Sequence, residues 1–315
     1  MYEKWKGVHT RCAFNMIQEL IPLTRPRTLA ATLGPTILGA AFSYYAFGAA
    51  QGTGLAIFHT MLIFLAVVTA QIVANLWNEY KDFKSGLDAG QKVGNAGSIT
   101  RGVITPELII TMIKVLMFVP IIIGLYLSAT ITWYYIPVGF LCILISFLYS
   151  GGPKPISRTP FGEISSGIAM GFAIVLITGY AWIRELSLAL LIPAIPSTLL
   201  VGSIMLTNNI RDIRNDESHG RHTLPIVLGR ERALSLMSIS YIFNFIWIIA
   251  WIIVSHMTWF ALLAFLAAPL AFKTIHTLST NTDEFQLDKT MGTTAGAAMI
   301  YQLMWAIGLI MGKLI

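Results

Sequence analysis

Long apolar runs alternate with short polar breaks from about residue 27 almost to the end of the chain. Each run approaches the ~20 residues that a helix needs to cross a bilayer's hydrocarbon. The pattern predicts nine membrane helices, at about 27–48, 54–79, 107–129, 131–150, 161–182, 188–210, 232–254, 257–276 and 292–313. Breaks after odd-numbered helices are tight. Those after even-numbered helices are longer and polar, the largest being about 80–106 and 211–231. Each of these two follows a run that closes in Asn and Asp, which suggests an internal repeat: two four-helix units with the ninth helix added. Residues 1–26 read as an amphipathic approach to the membrane. They are not read as a cleavable signal, since the first 20 residues have no uninterrupted apolar core and no small-residue cleavage site. The whole of 1–315 reads as one intramembrane domain, all α, capped by the two large loops.

Composition sharpens this picture. Hydrophobic residues make up 56% of the chain, charged residues 11%, and mean hydropathy is +0.71. Soluble domains carry about 25% charged residues, so this is a multi-pass membrane protein. The net charge of +6 raises the question of a nucleic-acid partner, and the placement of the charges answers it. With the N-terminus inside, all of the 21 Lys and Arg except Lys114, Arg184 and Lys313 fall on the cytoplasmic side. That bias sets orientation in a cell membrane; it does not form a nucleic-acid surface. The C-terminus then lies outside. The two cysteines, Cys12 and Cys142, make no disulfide framework and have no Cys or His at metal-ligand spacing. Gly167/Gly171 and Gly292/Gly296 suit close helix packing, and Gly34, Pro35 and Gly39 a kink or close contact.

Two polar helix ends carry the chemistry. NLWNEYKDFKSGLD runs from Asn75 to Asp88, and NNIRDIRNDESHGRHTLPIVLG from Asn208 to Gly229. Asn78 and Asp82 are four apart, as are Asn208, Asp212 and Asp216, so each set stacks along one helical face. One such end would read as a solvated cap with surface ion pairs. Two of the same chemistry, both facing the cytoplasm and ringed by Arg211, Arg214, Arg221 and Arg230, suggest a shared site. Carboxylate and amide oxygens suit Mg²⁺, which is commonly held by one or two carboxylates together with substrate phosphates. Two metals facing each other among Arg and Lys would clamp a diphosphate. At a membrane surface that diphosphate would belong to a lipid whose tail lies between the helices. The simplest reaction is ionisation of an allylic diphosphate, the leaving charge being stabilised by metal and Arg. No phosphate-cradling P-loop and no Ser-His-Asp or Cys-His arrangement is legible. A cation or metabolite transporter remains an alternative, although its acids would sit at the midplane on broken helices. So does a structural or receptor protein whose charges only set topology.

Several motifs together resemble the UbiA-type intramembrane aromatic prenyltransferases, and within them the menaquinone branch. They are RPRTL at Arg25–Leu29, the two Asn/Asp motifs, GSITRGVITP at Gly97–Pro106 and YSGGPKP at Tyr149–Pro155. The resemblance covers most of the chain. It implies a ring of helices around a large central cavity. It also implies Mg²⁺-dependent transfer of a polyprenyl group from its diphosphate to an aromatic acid. For the menaquinone branch that acid is 1,4-dihydroxy-2-naphthoate, which loses its ring carboxylate, while 4-hydroxybenzoate and homogentisate enzymes share the same metal logic. Asn78, Asp82, Asp88, Asn208, Asp212 and Asp216 are then the metal ligands. Asp82, Asp212 and Asp216 are also counted as catalytic, with Tyr149 steadying the carbocation through its ring face. Arg211, Lys154, Arg101, Arg221, Asn75 and Asn209 are the substrate contacts. Two positions depart from the family pattern: Glu79 stands where Asp is more usual, and Arg221-His222 where Lys precedes a polar residue. Prenyl length and oligomeric state are not legible.

Overall fold

The computed structural model describes residues 20–86 and 97–315. Asp88, Lys92, Cys12 and most of the amphipathic N-terminal segment lie outside the described residues. Among those described there is no strand. In hydrocarbon a backbone that cannot bond to water must bond to itself, and the helix does so within one segment.

The chain enters through a 3₁₀ turn, Pro26–Leu29, into α1, Ala30–Phe47. It continues as α2 (Thr53–Ser85), α3 (Pro106–Thr130) and α4 (Tyr135–Ser150). Helix α5, Gly162–Ile183, contains a π-helical turn over Gly167–Phe172. Then come α6 (Leu191–Arg211), the short α7 (Ile213–Ser218) and α8 (Leu224–Leu228), and α9 (Arg230–Ser255). Helix α10 (Trp259–Thr280) opens as a 3₁₀ helix, and α11 is Glu284–Leu314. Seven of these are long and apolar enough to cross a membrane: α2, α3, α5, α6, α9, α10 and α11. Helix α1 has 18 residues and is not one of the seven, and α4 is a shorter apolar helix of 16.

Helix α1 packs against α2, α5, α6 and α11, so the first and last helices are neighbours at the centre. The largest core cluster gathers α1, α5, α6, α9, α10 and α11, while α2 and α3 build a second around Leu76, Ile99 and Ile109. The outward faces of α3, α4 and α10 are apolar, with Phe118, Phe140 and Phe272 exposed, as a lipid surround requires.

Small residues set the closest approaches. A Cβ on Gly171 would stand 2.5 Å from the Ser197 carbonyl oxygen, and one on Gly167 2.5 Å from that of Thr198, so α5 and α6 meet backbone to backbone. A Cβ on Gly39 would lie 3.1 Å from the Val175 oxygen. The expected close packing at Gly292/Gly296 is not found. Gly292 faces open space, and on α11 the tight contacts fall instead at Gly308 and Gly312, against Phe260 and Thr258.

This difference is testable by thermal unfolding in detergent. Gly171→Ala drives a methyl into backbone that cannot yield and should cost on the order of 1–3 kcal/mol. Gly292→Ala meets nothing and should be neutral or stabilise by up to about 1 kcal/mol through helix propensity.

Candidate active site

The two Asn/Asp motifs meet at one end of the bundle. Helix α2 runs on past its apolar stretch to Ser85 and stops at Gly86, which adopts φ 76° and donates its N–H to the carbonyls of Asp82 and Phe83. Asn75, Asn78, Glu79 and Asp82 therefore occupy its last polar turns. Helix α6 ends at Arg211 with a bend at Asp212 (φ −93°, ψ 5°). The Asp216 N–H still donates to the Asp212 carbonyl at 2.8 Å, so the i, i+4 register of the two carboxylates survives the bend.

Arg221 joins the motifs. Its Nη2 donates to Asp82 Oδ1 at 2.9 Å, and its Nη1 lies 3.4 Å from Asp216 Oδ1. Asp82, 139 positions from Arg221 in the chain, thus shares its guanidinium with Asp216. Arg211 is engaged elsewhere. It holds Asp212 through two bonds of 2.7 Å, Asp288 through one of 2.8 Å, and the Asn208 oxygen at 2.9 Å. Asp216 is buried, which pushes its carboxyl up to about 7; Asp212 and Asp82 push the same way, against the pull of Arg221 and Arg211.

Beneath this cluster lies a cavity of about 190 Å³ between α1, α2, α4, α5 and α6. Asn75, Asn78, Asn208, Tyr149 and Arg25 line its polar end. Its wall along α2 reaches from Asn78 to Val67, roughly 16 Å at the helical rise. That inner stretch is apolar, with Val67, Ile174, Ile177 and Ile204. The π-helical turn of α5 supplies Ala169 and Met170 to the same wall, a common placement for such turns. The Tyr149 hydroxyl donates to Met205 Sδ at 3.2 Å.

The remaining residues singled out in the sequence are placed as follows. Asn75 donates to the Thr24 carbonyl and Asn209 to Glu163 Oε1, so both have protein partners. Lys154 and Arg101 are exposed, the latter donating to Ser98 Oγ. Glu79 is buried and turned away from the cluster: its Oε1 accepts from the N–H groups of Gly97 and Ser98, at 2.9 and 2.7 Å. The longer carboxylate pins the returning end of the loop after α2. Two participants are not among the site residues singled out in the sequence. Arg25 lines the cavity with φ 51° and sits close enough to act on Asp82 and Tyr149. Glu163 is buried behind Asn209.

The donor set suits a hard divalent cation. Every polar side chain that could ligate here offers oxygen, and Asn78 Oδ1 is buried with no partner. Arg221 stands between the carboxylates of the two motifs, Asp82 and Asp216. Among the described residues no three His, Cys, Asp or Glu side chains gather as a protein-only metal cage, but Mg²⁺ is usually completed by substrate phosphates and water.

The model of the UbiA prenyltransferase family matches residues 33–307. The chain belongs to that family of transferases, which sets aside the transporter and structural alternatives. A 1,4-dihydroxy-2-naphthoate octaprenyltransferase of Bacillus subtilis is 34% identical over 94% of this chain and 93% of its own length. One from Escherichia coli is 26% identical over 92% and 94%. Among solved structures, the apo UbiA homologue of Aeropyrum pernix superposes with TM-score 0.68 at 18% identity, covering 90% of this chain and 97% of its own. The Archaeoglobus fulgidus homologue bound to DMAPP and Mg²⁺ gives 0.61 at 16%, covering 92% and 99%.

Two predictions follow from the geometry. Glu79→Ala removes two charge-assisted bonds, each worth about 1.5–3 kcal/mol, so hydrogen exchange at Gly97 and Ser98 should accelerate at least tenfold. Asp216 gives a pH signature. Between its unfolded pKa of about 3.9 and its folded value of about 7, the folded state holds a proton that the unfolded state has lost. Asp216 therefore stabilises the metal-free protein at low pH, and that contribution fades as pH rises through 7. Melting curves across this window should show the decline, and Asp216→Asn should flatten it.

Proposed function

We propose that the chain transfers a polyprenyl group from an allylic polyprenyl diphosphate to 1,4-dihydroxy-2-naphthoate, with loss of the ring carboxylate as CO2, giving the quinol form of a demethylmenaquinone. The observation that carries this reading is the meeting of two Asn/Asp motifs on Arg221 above a cavity that turns apolar within a few turns of helix. A diphosphate fits the charged mouth and an isoprenoid the apolar interior. The names of the curated relatives support the choice of acceptor.

Asn78, Asp82, Asn208, Asp212 and Asp216 would hold Mg²⁺, which when bound neutralises charge on the diphosphate as it leaves. Arg221 and Arg25 offer N–H groups to the same oxygens. Tyr149 presents its ring to the allylic cation, an interaction worth more where water is excluded. The apolar wall keeps water from capturing that cation. Arg211 holds the Asp212 carboxylate in place.

This reading includes nine crossings: the seven long apolar helices with α1 and α4 added. They form two four-helix units plus α11, in one domain with N-terminus inside, C-terminus outside and the motifs facing the cytoplasm, as the charge bias supports. Labelling of a cysteine added beside Ile315 only from the cytoplasmic side would refute the topology.

The decisive assay gives purified protein polyprenyl diphosphate and Mg²⁺ with 1,4-dihydroxy-2-naphthoate and 4-hydroxybenzoate in competition, and reads products by mass spectrometry. The expected outcome is a prenylated, decarboxylated naphthoquinol. Exclusive prenylation of 4-hydroxybenzoate would overturn the acceptor. Asp212→Asn should lower turnover by about 10²–10³, the range seen when one electrostatic stabiliser is lost. It should also abolish Mg²⁺-dependent thermal stabilisation by the diphosphate.

A further inference from the structure

A second cavity, of about 360 Å³, shares no lining residue with the first. It lies between α7, α8 and the starts of α9 and α11, beside the second motif, and its size falls in the ~300–1,000 Å³ range of small-molecule sites. Arg211 forms part of its wall but is already committed to Asp212, Asp288 and Asn208. Four other charges face it: Arg214 and Glu217 from α7, Arg230 from α9 and Glu284 from α11. None of these four is ion-paired with another. Arg230 is anchored by donating to the carbonyls of Leu278 and Asn281, so it cannot swing out to find a carboxylate.

Two cations and two carboxylates held apart around one hollow are complementary to a ligand that carries both signs. The arginines match a phosphodiester through their planar donor forks. The Thr282 side chain borders the same space, and the glutamates match an ammonium. The floor is apolar, with Ile210, Ile213, Ile226 and Leu287. Next to it in sequence, Val227 and Phe285 are more than half exposed, at 57% and 58%. These elements join the ends of the long apolar helices α6, α9, α10 and α11. A free phosphate compound would leave the exposed apolar rim and the two carboxylates unused.

We propose that this cavity is a phospholipid head-group site that takes a phosphoethanolamine-type zwitterion from the adjoining leaflet. The phosphate lies between Arg214 and Arg230, the ammonium at Glu217 and Glu284, and the acyl chains leave along Val227 and Phe285.

Native mass spectrometry of the full chain, released from nanodiscs of equal phosphatidylethanolamine and phosphatidylglycerol, tests this. The wild type should retain phosphatidylethanolamine over phosphatidylglycerol by about five- to tenfold, the size of one or two modest ion pairs. Arg214→Gln should release the lipid. Glu217→Gln should erase the preference while keeping an anionic lipid bound. Both residues are exposed, so folding is checked by melting temperature. Millimolar phosphoethanolamine or inorganic phosphate should fail to displace the lipid. Equal retention of the two lipids by the wild type, displacement by free phosphate, or unchanged retention in folded Arg214→Gln would each overturn the proposal. The readout is binding, so it stands or falls independently of the prenyl-transfer assay.

Discussion

Two carboxylates from opposite halves of the chain are held on one guanidinium at the edge of hydrocarbon. Like charges so close repel, and burial removes the water that would screen them. Arg221 is in contact with both Asp82 and Asp216, yet burial first, and then the nearby Asp212 and Asp82, make Asp216 cling to its proton up to about 7. Three carboxylates gathered so closely, Asp82, Asp212 and Asp216, are an unstable arrangement for a purely structural protein. It is a useful one for a protein that must take up a cation together with a phosphate-bearing substrate, because ligand binding supplies the missing compensation.

The rest of the bundle keeps those groups in place. Glu79 ties the returning loop to α2, and Arg211 ties the end of α6 to α11 through Asp288. Gln302 accepts from Ser197 and lies against Gly34, so α1, α6 and α11 are locked where they cross. Polar contacts of this kind are few, and each sits where it sets the relative height of two helices. Apolar packing against lipid-like neighbours leaves that height poorly specified.

The long apolar runs announced their helices, and the i, i+4 spacing of Asn78/Asp82 and Asp212/Asp216 announced two polar faces. Spacing says which residues share a face; it does not say what the face meets. That Arg221 rather than Arg211 would link the motifs depends on how the chain folds back after α7, and no periodicity encodes it. Glu79 stood out only as a departure from Asp, and its extra methylene serves a reach to the backbone N–H groups of Gly97 and Ser98 that spacing does not reveal. Gly292 and Gly296 carried the small-residue spacing of a packing seam, while the helix rotated a different pair, Gly308 and Gly312, toward its neighbour. Arg25 opened the RPRTL motif and counted among the inside-facing charges, but neither feature says that it approaches the cavity.

The link between Arg211 and Asp288 has a consequence for biogenesis. The cluster draws on residues from near the start of the chain to the opening turn of its last helix, so no nascent intermediate possesses it whole. Until α11 is seated beside α1, Arg211 lacks its second carboxylate, Asp288, and the end of α6 lacks that brace. The Arg211–Asp288 bond thus couples the second motif to the last helix to be synthesised.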